Sequence, residues 1–174
     1  MSDGAVFLDR PKAFETIVYC GLAIGVLDAI DAMAFFGLAF GASPVRIWQS
    51  VAAGLLGREA AIAGGLLTSA LGLFLHFVIA FLVATVYYIG ARNISFLLRH
   101  PVISGLIFGV IANFVMQYVV IPLSAAPGSG VFSLGPFLNG VIGHAFLVGL
   151  PVALIARWSA RRSGVSSPQQ ISFR

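Results

Sequence analysis

Charge is scarce in this sequence: ten Lys and Arg and six Asp and Glu make up 9% of its 174 residues. A water-exposed shell needs roughly a quarter of its residues charged. A soluble globular surface is therefore excluded, and so is disorder, which needs charge and little hydrophobicity. Cysteine is nearly absent. The single Cys20 lies in an apolar run, which excludes an intrachain disulfide scaffold and a zinc motif built on thiols. There is no phosphate-binding glycine loop, no HExxH, no nucleophile elbow and no serine with an evident base partner, so an enzyme is not expected. The formal net charge of +4 forms no basic stripe with interleaved aromatics, so nucleic acid is not an expected partner. What is abundant is apolar surface, with 59% hydrophobic residues and a mean hydropathy of +1.01. The class that remains is an integral membrane protein, with the lipid bilayer as its first partner.

A hydrocarbon core about 30 Å thick takes about 20 apolar residues as helix, because every backbone N–H and C=O must be paired internally. Four segments are long enough: 14–40, 66–90, 101–121 and 136–156. The first is too long for a cleavable signal and carries two aspartates, so it reads as an uncleaved anchor. Between the first two, residues 44–57 place Val45, Trp48, Val51, Ala52 and Leu55 on one helical face and Arg46, Gln49, Ser50 and Ala53 on the other. That pattern predicts a short interfacial amphipathic helix with Trp48 at headgroup level. The expected fold is all-α: one four-helix transmembrane domain over residues 1–162, then a mobile Ser- and Gln-rich tail over 163–174.

The basic residues predict an orientation. With the N-terminus inside, Arg10, Lys12, Arg92, Arg99, Arg157, Arg161, Arg162 and Arg174 fall on the cytoplasmic side, and only Arg46 and Arg58 outside. Both termini are then cytoplasmic. Tyr87 and Tyr88 are expected in the inner aromatic belt and His100 as an interface anchor. Gly21 with Gly25, and Gly105 with Gly109, form GxxxG pairs that fit internal packing or dimerisation equally well. Gly149 and Pro151 predict a bend in the last span.

Polar groups within the spans carry the functional question, since each ionisable one costs a few kcal/mol in hydrocarbon. At about 1.5 Å per residue, Asp28 and His76 rise roughly 21 Å from the cytoplasmic end, and Asn113 and His144 roughly 18 Å. Asp31, Gln117 and Asn139 rise roughly 24 to 26 Å. The seven form one polar layer in the outer half of the bilayer. Three readings fit it. One is a hydrogen-bond network that fixes helix register. Another is a site open to the outside for a proton, a cation or a small polar solute, to which the carboxylate and imidazole types would add a transition metal, although their spacing is no metal motif. The third is haem held between His76 and His144, against which stand the bulky Phe74, Phe77, Phe81 and Phe146; neither a haem nor another cofactor is expected.

The run from Leu75 to Tyr88, the glycine-rich third segment with Gln117, and Gly143-His144 leading to Arg157, Arg161 and Arg162 resemble small bacterial inner-membrane proteins of the YagU-like family. That resemblance covers about the last 100 residues and implies an inner-membrane location without a defined activity. The Asp28 and Asp31 pair departs from the family pattern. Two functions follow as expectations. One is a small transport or permeability component, homo-oligomeric because four spans enclose little volume. The other is an accessory subunit that docks on a larger membrane partner through its glycine faces, its polar layer structural.

Overall fold

The computed structural model describes residues 10–126 and 132–165, so the expectation of a mobile tail lies almost wholly outside the described residues. Among them there is no strand, and four helices are long and apolar enough to cross a membrane: Ala13–Phe40, Gly65–Asn93, Pro101–Leu123 and Leu134–Ser163. We call these the first to fourth spans. The protein is an all-α, multi-pass membrane protein. Large apolar side chains such as Leu22, Ile30, Phe74, Leu82, Ile107 and Phe146 are exposed along the spans. On a soluble chain this would be a prohibitive apolar surface, and against lipid tails it costs nothing.

Local chemistry sets the connections. Gly41 closes the first span in the left-handed region (φ 63°), its N–H bonded to the Gly37 carbonyl. Ser43 then accepts from the Arg46 N–H, and Pro44 opens the next helix, Pro44–Leu56, after a turn of only three residues. A short helix, Arg58–Ala63, leads into the second span, and Ser95–Arg99 joins the second span to the third.

The first span packs on the second and the fourth, and the third packs on the fourth. The ring closes between second and third spans at the end that carries Lys12, Arg92, Arg99 and Arg157, which we call the basic end. There the Tyr87 hydroxyl lies 3.1 Å from Ser104 Oγ and 3.3 Å from the Leu97 carbonyl. The core at this end is built of small residues, among them Cys20, Ala84, Ala91, Val152, Ala153 and Ala156, which let the helices approach closely. In a bilayer such approach supplies the dispersion contacts that replace a hydrophobic driving force.

Both GxxxG pairs are consumed inside the chain. A Cβ on Gly21 would stand 2.5 Å from the Phe81 ring, and one on Gly25 2.6 Å from Phe77. Gly105 and Gly109 lie against Gly149, Leu150 and Ala145 of the fourth span, backbone on backbone. The chain's own spans thus lie against all four glycines.

The short amphipathic helix expected between the first two spans is Pro44–Leu56. It buries Ile47, Trp48, Gln49, Ala52 and Ala53 against the second span, where Gly72 lets the backbones of Trp48 and Ala52 come into contact. We call it the cap helix. Gln49, expected to face solvent, is buried because its Nε2 donates to the carbonyls of Gly65 (3.0 Å) and Ile62 (3.4 Å) at the start of that span. Tyr87 and Tyr88 are buried rather than belted, Tyr87 because its hydroxyl finds the partners just described. The fourth span is longer than expected and keeps Arg157, Arg161 and Arg162 on the helix, Arg157 bonding the Arg99 carbonyl and Arg162 lying over the Trp158 ring.

The bend expected at Gly149 and Pro151 takes the form of a π turn, His144–Gly149, and a second one, Met116–Val120, interrupts the third span. Each ends two residues before a proline, Pro122 or Pro151. Proline lacks the N–H that would serve the carbonyl four residues back, and its ring collides with that carbonyl; widening the preceding turn by one residue moves the carbonyl aside.

Candidate functional site

Above the Tyr87 and Ser104 contact, a cavity of about 510 Å³ occupies the bundle beneath the cap helix. All seven residues of the expected polar layer line it: Asp28 and Asp31 from the first span, His76 from the second, Asn113 and Gln117 from the third, Asn139 and His144 from the fourth. The cap helix adds Arg46, Trp48 and Ser50, and apolar residues such as Ile79, Met116 and Val148 complete the wall. Ile24 and Val148 are buried and mark the floor, whereas Arg46, Ser50 and Gln117 are exposed and mark the mouth.

Within the cavity the residues pair as their heights suggested. Asn139 Nδ2 donates to Asp31 Oδ2 at 2.8 Å. His76 Nδ1 faces Asp28 Oδ2 at 3.9 Å, and His76 Nε2 lies 2.8 Å from the Gly25 carbonyl. A carbonyl only accepts, so Nε2 is the nitrogen that carries the hydrogen. The tautomer is thereby set, and Nδ1 is left facing the Asp28 carboxylate. Trp48 packs against the His76 ring with centroids 5.3 Å apart.

Asn113 is the most enclosed member. It is 1% exposed, and its Oδ1 has no hydrogen-bond partner. Two glycines of the fourth span make room for these polar atoms: a Cβ on Gly140 would stand 2.7 Å from Asn113 Oδ1, and one on Gly143 2.9 Å from Asp31 Oδ2. Gln117 and His144 also line the cavity.

The phenyl rings invoked against haem do not fill the space between the histidines. None of Phe74, Phe77, Phe81 or Phe146 lines the cavity; Phe77 and Phe81 cover Gly25 and Gly21, while Phe74 and Phe146 are exposed. What opposes ligation through His76 is the bond of its Nε2 to Gly25 and the indole against its ring. Among the described residues, no three His, Cys, Asp or Glu side chains gather as a metal-binding group. Sequence reasoning missed Arg46, Trp48 and Ser50 as lining residues. The available signal was Gly41 with Ser43-Pro44, a tight reversal that turns the following helix back over the bundle. Comparison with protein-family models, curated proteins and solved structures finds no match to this chain.

Proposed function

We propose that this chain is a small, non-catalytic component of the bacterial inner membrane that binds a cation or proton in the half of the bilayer away from its termini. The observation that carries the reading is the convergence of seven polar side chains from all four spans, two of them carboxylates, on one cavity of about 510 Å³. A network needed only for helix register would close on itself, and it would not leave Asn113 Oδ1 unpartnered or Asp28 at 3.9 Å from its nearest partner. Both termini are placed in the cytoplasm, because the basic end carries most of the Lys and Arg. The inner-membrane location follows the YagU-like resemblance. Four spans bury too little interior for a complete transport path, so the working unit is taken to be a homo-oligomer.

The test is cation and proton binding by the full chain in lipid nanodiscs, by titration calorimetry with Na⁺ and K⁺ and by proton uptake with a pH indicator. Asp28→Asn with Asp31→Asn should abolish uptake while leaving helicity and the elution profile intact. Unchanged uptake by this double variant would sink the reading. For orientation, a reporter active only in the cytoplasm should work when inserted at Arg92 and be silent at Ser124.

A further inference from the structure

A bare divalent cation is a poor match for this cavity. Ca²⁺ takes six to eight oxygen ligands, and Mg²⁺ demands a tight octahedron. Here the acceptors line a volume of about 510 Å³, within the range of small-molecule sites. Most of the remaining wall is apolar, with Trp48, Ile79, Met116 and Ile121 on it.

The acceptors are placed for a group with several N–H donors. Asn113 Oδ1 and Asp31 Oδ2 rest against Gly140 and Gly143, three residues apart on one face of the fourth span. They therefore lie roughly one turn, about 4.5 Å, apart along that helix. Asp28 stands one turn from Asp31 on the first span and lines the same space. Asn113 matters most here, because a side chain 1% exposed with an unpartnered acceptor is costly unless something occupies the cavity to satisfy it. With the histidines neutral, two carboxylates against the guanidinium of Arg46 leave one net negative charge around the cavity. That balance suits a monocation.

We propose that the cavity binds a primary organic ammonium with an apolar body. Its three N–H donors are met by Asp28, Asp31 and Asn113 Oδ1, and its body lies along Trp48, Ile79 and Met116. The inference rests on the reading of the cavity as a cation site and narrows it to a ligand class.

Phenethylammonium is a suitable probe, with phenethyl alcohol as its neutral counterpart and the N-trimethylated ion as the cation without donors. Trp48 reports binding by fluorescence once the only other tryptophan is removed by Trp158→Phe. The primary ammonium should saturate the full chain in nanodiscs and bind about tenfold or more tightly than either counterpart, the worth of one or two hydrogen bonds to charged groups. Asn113→Leu should weaken it by about tenfold and leave the unliganded protein as stable or more so, since the substitution removes an unsatisfied buried acceptor. A purely structural asparagine predicts the opposite pair of results. Equal affinity for the alcohol would reduce the cavity to an apolar pocket and overturn the proposal. Na⁺ or proton binding that depends on Asp28 and Asp31, with no response to the ammonium, would overturn it and leave the cation site standing. Absence of all binding would remove both.

Discussion

Replacing Gly72 by alanine sets two physical effects against each other. In an unconstrained helix interior the change stabilises by about 0.5 to 1 kcal/mol, because glycine loses more backbone freedom on folding. Here the new Cβ would overlap the Trp48 carbonyl, standing 2.6 Å from its carbon and 3.1 Å from the Ala52 nitrogen. Ordinary contact between such atoms begins near 3.5 Å, so the cap helix must retreat by about 1 Å over its central turn. Overpacking of this kind costs about 1 to 3 kcal/mol, and the net expectation is a loss of about 1 kcal/mol after the helix-propensity gain. The retreat should also lift Trp48 from His76, now 5.3 Å away between ring centroids. Reversible unfolding in mixed micelles gives the stability, and Trp48 emission in a Trp158→Phe background gives the position of the cap. Gly54→Ala is the control on the cap helix itself, since a Cβ there would meet only Ser124 at 3.7 Å. If Gly72→Ala is stabilising and leaves the emission unchanged, the cap is not seated backbone to backbone on the second span.

A double-mutant cycle on Asp31→Ala and Asn139→Ala should return a coupling of about 0.6 to 1.7 kcal/mol, the range of side-chain hydrogen bonds within bilayers; additive effects would show that the 2.8 Å contact is not made. Cys20 is fully buried, with Sγ 3.6 Å from the Val152 carbonyl, so a maleimide should label it only after unfolding, and labelling of the folded protein would contradict the close packing at the basic end. His76→Ala should cost about 1 to 3 kcal/mol, because it removes the Gly25 bond and leaves Asp28 without a counterpart; stability measured beside His144→Ala, for which a smaller loss is expected, checks this.

The spans were legible because a bilayer demands about 20 apolar residues in a row, and no other signal in the chain imitates that. The polar layer was legible for a similar reason. Rise per residue converts sequence position into height, and the partners found in contact, Asp28 with His76 and Asp31 with Asn139, had been placed at matching heights. Rotation was harder to read. The cap helix has apolar residues on more than one side, and its true buried face depends on Gln49 finding carbonyls at residues 62 and 65, across a turn whose direction no helical wheel contains. Tyr87 has the composition of a belt residue and becomes a core residue only through Ser104, 17 positions away. The glycine pairs were visible as pairs, but a GxxxG does not name its partner, and Phe81, Phe77 and the fourth span emerge only in three dimensions.

The two π turns constrain how these helices can change in length. A wide turn is an α-helix holding one residue too many, and that residue sets the stretches on either side about 100° out of phase. Deleting one residue within Met116–Val120 or His144–Gly149 would restore a straight helix, but only at the cost of driving Pro122 or Pro151 into the carbonyl that the wide turn had moved aside. Losing the proline alone leaves the surplus residue without its reason. Deletion and proline replacement are therefore neutral only together, and over evolutionary time each of these helices should gain or lose its irregularity as a single paired event.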